Sequence, residues 1–113
     1  MKTILIVEDE IDLAESLQLL LARRGYRVVL AYDGRDGLEK ALAEHPDLVL
    51  TDLMMPIMDG RELIARLRAH PATRRIPVVA MSASHDAQRA VVLRKPFDAG
   101  ELVRRVRRAL EES

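Results

Sequence analysis

The chain of 113 residues contains no cysteine, which excludes a disulfide framework, a thiolate metal site and a cysteine nucleophile. It carries no net charge: eighteen basic and eighteen acidic residues cancel, so no global field draws it to nucleic acid or to an anionic membrane. Long apolar runs are also missing, the longest falling far short of the roughly 20 residues that span a bilayer. The opening segment, Met1 to Val7, has one basic residue and a brief apolar run that ends in acids. A signal peptide needs a longer apolar stretch and a small-residue cleavage site. No repeat, low-complexity tract or linker divides the chain. What is present, 49% hydrophobic and 32% charged residues, is the composition of one soluble domain over residues 1–113 with enough core to fold unstapled. A cytoplasmic setting is the simplest expectation.

Short β-branched runs alternate with stretches of helical period. Strands are expected at Thr3–Val7, Tyr26–Ala31, Asp47–Thr51, Ile76–Met81 and Val91–Leu93. Ile4 to Val7 and Leu48 to Leu50 are continuously apolar, which indicates strands covered on both faces and hence a parallel sheet. Between them Leu13, Leu17, Leu20 and Leu21 form one helical stripe. Leu38, Ala41 and Leu42 form a second, and Leu63, Ile64 and Leu67 a third. Leu102, Val103, Val106 and Leu110 close the chain with another helix. Gly25 marks a helix end, and Asp59, Gly60 and Asp98 mark helix starts. The alternation predicts an α/β fold with a doubly wound, five-stranded parallel sheet and right-handed crossovers.

In such a sheet, ligands bind beyond the carboxyl ends of the strands, near the switch in strand order. Those ends carry Glu8, Asp9 and Glu10, then Asp52, Ser82 and Lys95. Carboxylates there suit a hard cation such as Mg²⁺. Each residue has an ordinary alternative: Asp9 or Asp12 as a helix cap, Asp52 as a turn former, Ser82 as a loop hydroxyl, Lys95 as a solvated charge. Their joint placement at four strand ends is what favours a site.

The run Asp52-Leu53-Met54-Met55-Pro56-Ile57-Met58-Asp59-Gly60 closely resembles the signature at the phosphorylated Asp of response-regulator receiver domains. Glu8-Asp9-Glu10, Met81-Ser82-Ala83 and Lys95-Pro96-Phe97 match the same family in the same order. The resemblance implies a flavodoxin-like fold with strand order 2-1-3-4-5. It implies that Asp52 is the phosphoacceptor and that Glu8, Asp9 and Asp52, with the backbone carbonyl of Met54, hold Mg²⁺. It further implies that Ser82 turns its hydroxyl to the phosphoryl group, that Lys95 pairs with it, and that the Lys95-Pro96 bond is cis. The implied partner is a sensor histidine kinase or a histidine phosphotransfer protein. The implied product is a changed protein-interaction surface rather than turnover of a metabolite.

Two features depart from the family pattern. Only twelve residues separate Ser82 from Lys95, leaving about eight for a crossover that normally takes a dozen or more. The fourth helix of the fold is therefore expected to be short, disordered or missing. Val92 falls where most receivers carry Tyr or Phe, which places the signalling step in question more than the phosphorylation. Arg104, Arg105, Arg107 and Arg108 cluster on the last helix, either as a solvated face suited to the helix dipole or as a surface for an effector domain or homodimer. Direct nucleic-acid binding is not expected, for lack of a recognition motif and of net positive charge. His45, His70 and His85 show no ligand spacing and read as surface residues. The competing functions are a receiver-like interaction module that is not phosphorylated and a Mg²⁺-dependent small-molecule phosphatase working through an aspartyl phosphate. A nucleotide- or flavin-binding role is disfavoured because no Gly-rich loop follows the first strand.

Overall fold

A computed structural model describes residues 1–83 and 91–112. Five strands, β1 (Thr3–Val7), β2 (Arg27–Ala31), β3 (Leu48–Asp52), β4 (Val78–Ser82) and β5 (Val91–Arg94), form one sheet. The helices are α1 (Ile11–Ala22), α2 (Gly34–Glu44), α3 (Gly60–Ala69) and α4 (Ala99–Glu112). Every strand pair is parallel, and the order is β2-β1-β3-β4-β5, as the resemblance implies. The stretch 84–90, where the short, disordered or missing fourth helix is expected, lies outside the described residues, as do His85 and the side chain of Val92. Among the described residues no helix is long and apolar enough to cross a membrane.

The sheet sorts its apolar residues by parity. Ile4, Ile6, Leu48, Leu50, Val79 and Met81 face one way and pack with Leu17 and Leu21 of α1 and Leu102 and Val106 of α4. Leu5, Val7, Val49 and Val78 face the other way, against Ala41 of α2 and Leu63 and Leu67 of α3. Two buried faces explain why β1 and β3 read as unbroken apolar runs instead of alternating ones.

Element ends differ slightly from the sequence expectation, for local reasons. Asp47 precedes β3 because it clamps the start of β1: its N–H donates to the Thr3 carbonyl at 2.8 Å and its carboxylate accepts from the Thr3 N–H at 2.7 Å. Strand β4 begins at Val78, since the Ile76 N–H closes the preceding turn onto the Thr73 carbonyl at 3.1 Å and Pro77 has no N–H to give. Helix α1 stops at a Schellman-type turn. The Tyr26 N–H reaches back to the Leu21 carbonyl at 3.3 Å, and Gly25 takes the left-handed conformation at φ +93°. Asp33, Asp59 and Asp98 accept hydrogen bonds from the N–H groups of Asp36, Glu62 and Glu101, capping α2, α3 and α4. Helix α1 has no side-chain cap: its N-cap is Glu10, so the capping alternative for Asp9 and Asp12 does not hold. His45 and His70 are exposed, as expected, at the C-terminal ends of α2 and α3.

Candidate functional site

Parallel strands place their carboxyl ends on one edge, and there the register brings distant residues together. Val7 pairs with Thr51, so Glu8 and Asp52 leave adjacent strands side by side. Asp52 pairs with Met81 and Ser82 with Arg94, which sets the ends of β4 and β5 next to them. The Lys95 N–H donates to the Ser82 carbonyl at 2.9 Å, carrying the ladder one residue further. The following Lys95-Pro96 peptide is cis.

Lys95 then reaches across the edge. Its ammonium lies 3.2 Å from Glu8 Oε1 and 3.1 Å from Asp52 Oδ2. Glu8 is fully buried and Asp52 is 6% exposed. The other Glu8 oxygen accepts the Glu10 N–H at 3.0 Å, and Asp52 Oδ1 accepts the Met54 N–H at 3.2 Å. Glu8, Asp9 and Asp52 each present an oxygen within 4.8 Å of the others, with Asp9 exposed. Such hard oxygen donors, partly open to water, could hold a divalent cation.

Of the residues singled out from sequence, Glu8, Asp9, Asp52 and Lys95 thus meet in space. Ser82 is buried at the end of β4 beside them. The Met54 side chain projects into solvent, and its N–H is engaged by Asp52. Glu10, which follows in the same acidic run, stands outside the three-carboxylate group and serves as the start of α1.

Charge and burial compete at this edge. Burial pushes the Glu8 carboxyl above its ordinary pKa. The Glu10 N–H opposes that rise, the Asp52 charge adds to it, and Lys95 opposes it. For Lys95, burial alone would lower the pKa, but the hydrogen bond and charge of Asp52, then those of Glu8, hold it above the ordinary lysine value. Linkage follows from the signs. The Lys95 contribution to stability is complete at neutral pH and is lost as pH rises through its raised value. The Glu8 contribution is present below the ordinary glutamate pKa and is lost as pH rises through its raised value.

Sequence reasoning missed one supporting residue. Gly60 looks like a helix-start glycine, yet it packs directly under Asp52. Its N–H donates to the Leu53 carbonyl at 2.9 Å, and a Cβ there would collide with the Asp52 carbonyl oxygen and lie 2.7 Å from the Leu53 Cα. The only clue in the chain is its position at the end of the Asp52–Gly60 run. The direct contact of Lys95 with Glu8 was also not legible, since 87 residues separate them.

Two outcomes follow from this geometry. Gly60→Ala should lower stability by about 3 kcal/mol in denaturant unfolding, because rigid backbone cannot yield to the added methyl. Lys95→Met should cost about 1–3 kcal/mol at neutral pH by leaving two carboxylates without their counter-charge. That deficit should shrink as pH is lowered and Glu8, whose pKa is raised, takes up a proton; unfolding curves of both proteins between neutral and mildly acidic pH will show whether it does.

Comparison with known proteins places this geometry among relatives. Residues 4–107 match the response regulator receiver domain family. Response regulator ArlR of Staphylococcus aureus strains Mu50 and MW2 is 40% identical over 116 aligned residues, which cover 97% of this chain and 53% of the relative. The chain therefore spans about half the length of the curated relatives it matches. Among solved structures, the signal receiver domain of a signal transduction histidine kinase from Syntrophus aciditrophicus superposes with a TM-score of 0.91 at 31% identity, covering 99% of this chain and 92% of that one. The receiver domain of a sensor histidine kinase from Pseudomonas aeruginosa PAO1 has a magnesium ion coordinated in its active-site cleft. It superposes with a TM-score of 0.88 at 29% identity, covering 97% of this chain and 98% of that one.

Proposed function

Since the chain belongs to the response regulator receiver domain family of two-component signalling, we propose that residues 1–113 act as a receiver that takes a phosphoryl group onto Asp52. The donor is a phosphohistidine of a sensor histidine kinase or of a histidine phosphotransfer protein. The observation that supports this best is the arrangement of Asp52. One of its oxygens is 3.1 Å from the Lys95 ammonium, and its carboxylate sits within 4.8 Å of Glu8 and Asp9.

In the transfer, an Asp52 carboxylate oxygen forms a bond to phosphorus as the phosphorus–nitrogen bond of the donor breaks. The imidazole leaves with the electron pair. Lys95 lies where its charge offsets the phosphoryl oxygens, and Ser82, at the end of β4, contributes its hydroxyl to the same group. The backbone hydrogen bond from Met54 and the packing of Gly60 orient the Asp52 side chain before the reaction. Glu8, Asp9 and Asp52, with the backbone carbonyl of Met54, would hold Mg²⁺, and the donor set fits that hard ion. When bound, the ion supplies the positive charge that lets a carboxylate approach negatively charged oxygens. The chain in this reading promotes its own phosphorylation and dephosphorylation and turns over no external metabolite. The phosphorylated state then biases a two-state binding surface. The last helix, α4, is our proposed surface for an effector domain or a second copy: Arg104, Arg107 and Arg108 are exposed on it and Arg105 is half-buried.

Intact-protein mass tests the reading directly. With Mg²⁺ and a small-molecule acyl phosphate donor, the protein should gain one phosphoryl group; Asp52→Asn should gain none, and neither should wild type after removal of the metal. A wild-type protein that binds Mg²⁺ yet stays unmodified, with a kinase as donor too, would mark a receiver-like interaction module instead. Asp9→Asn, at an exposed position, should weaken Mg²⁺ binding on the order of ten- to a hundredfold while leaving the unfolding midpoint nearly unchanged. Calorimetric titration beside a denaturation curve separates the two effects.

A further inference from the structure

The free edge of the sheet at β2 is guarded. Strand β2 is the last on its side. The Arg27 N–H donates to the Lys2 carbonyl at 2.9 Å, and the Ala31 carbonyl accepts from the Glu8 N–H at 3.0 Å. These residues face β1, so the residues of opposite parity, Val28 and Leu30, aim their main-chain N–H and C=O groups away from the sheet. An edge of this kind is a template for another strand.

The local sequence sharpens the hazard. Tyr26-Arg27-Val28-Val29-Leu30-Ala31-Tyr32 holds a single charge and no Pro or Gly, and is dominated by apolar, β-branched and aromatic residues. That is the composition of self-pairing segments. Val28, Val29 and Leu30 are only half-buried, and Tyr32 is exposed. The formal net charge of zero provides no general repulsion between copies. Protection has to be local.

Two side chains of α2 supply it. Lys40 Nζ donates to the Leu30 carbonyl at 2.6 Å, occupying the acceptor that an incoming strand would use. The same ammonium is held by Asp36 Oδ2 at 3.2 Å. Nearer the start of the strand, Arg27 meets Glu44 at 3.0 Å. As exposed ion pairs these add little stability, whereas their position places charge along the one edge that β2 leaves open.

We propose that Lys40 blocks pairing of β2 with β2 of a second copy of this chain. A second copy is the fitting partner because each carries the same apolar segment and the same outward groups, so two edges can meet about a twofold axis.

Lys40→Met keeps the aliphatic stem and removes the donor and the charge; Lys40→Arg keeps both. The Lys40 side chain is 38% exposed, so both variants are expected to fold, which circular dichroism will verify. In sedimentation velocity over rising concentration, Lys40→Met should self-associate about tenfold or more tightly than wild type, and Lys40→Arg should behave as wild type. Hydrogen exchange at the Val28 and Leu30 amides of Lys40→Met should slow as concentration rises. Unchanged sedimentation of Lys40→Met overturns the proposal. So does association that leaves those two amides unprotected, or equal association of Lys40→Arg.

Discussion

The ammonium of Lys95 is what allows three strand ends to converge. Glu8 and Asp52 leave neighbouring strands and are both buried, so their charges face each other with little water between them. Their nearest oxygens lie within 4.8 Å, and at an effective dielectric near 20 two like charges at that upper limit repel by roughly 3–4 kcal/mol. Lys95 sits 3.2 Å from one carboxylate and 3.1 Å from the other, and on the same scale each attraction is worth roughly 5 kcal/mol. The attractions outweigh the repulsion, although burial of all three groups consumes much of the surplus. The raised Glu8 pKa is the remainder of that contest.

This cation is in turn held by the sheet. Its backbone N–H extends the β4–β5 ladder through the Ser82 carbonyl, and β4 pairs with β3, which ends in Asp52. The acid and its counter-charge are thus joined both through space and through main-chain hydrogen bonds. Gly60 adds a third constraint from the other side, because only a residue without Cβ lets α3 start so close to the Asp52 carbonyl. Under the proposed phosphoacceptor role, such support would orient the Asp52 oxygen in advance of reaction.

The two edges of the sheet meet different demands. On the inner strands main-chain groups find partners on both sides, and Glu8, Asp52 and Ser82 stand at their carboxyl ends, met by Lys95 from the end of the outer strand β5. On the outer side β2 has no neighbour, and Lys40 engages the outward Leu30 carbonyl. Basic residues stand in three different settings: Lys95 between two buried carboxylates, Lys40 at the edge of β2, and Arg104, Arg107 and Arg108 exposed on α4. Their environments, not their residue type, distinguish them.

Much of the fold is legible in the sequence alone, because burial on both faces of a parallel strand leaves a local trace. The apolar runs at Ile4–Val7 and Leu48–Leu50, the leucine stripe of α1 and the capping Asp59 and Asp98 are all short-range signals, and the structure contains each of them. The site is legible only as far as strand ends can be counted. Chain order puts Glu8, Asp9, Asp52, Ser82 and Lys95 at the carboxyl ends of strands, and the resemblance of the Asp52–Gly60 run supplies their expected roles. Which acids are buried is not encoded locally. Glu8 and Asp9 are adjacent just past the end of β1, yet Glu8 is fully buried against Lys95 and Asp9 is exposed. The contacts of Lys95 with Glu8, of Gly60 with Asp52 and of Lys40 with the β2 edge arise from strand register and helix packing. Those are set by the whole core at once, and no window of neighbouring residues contains them.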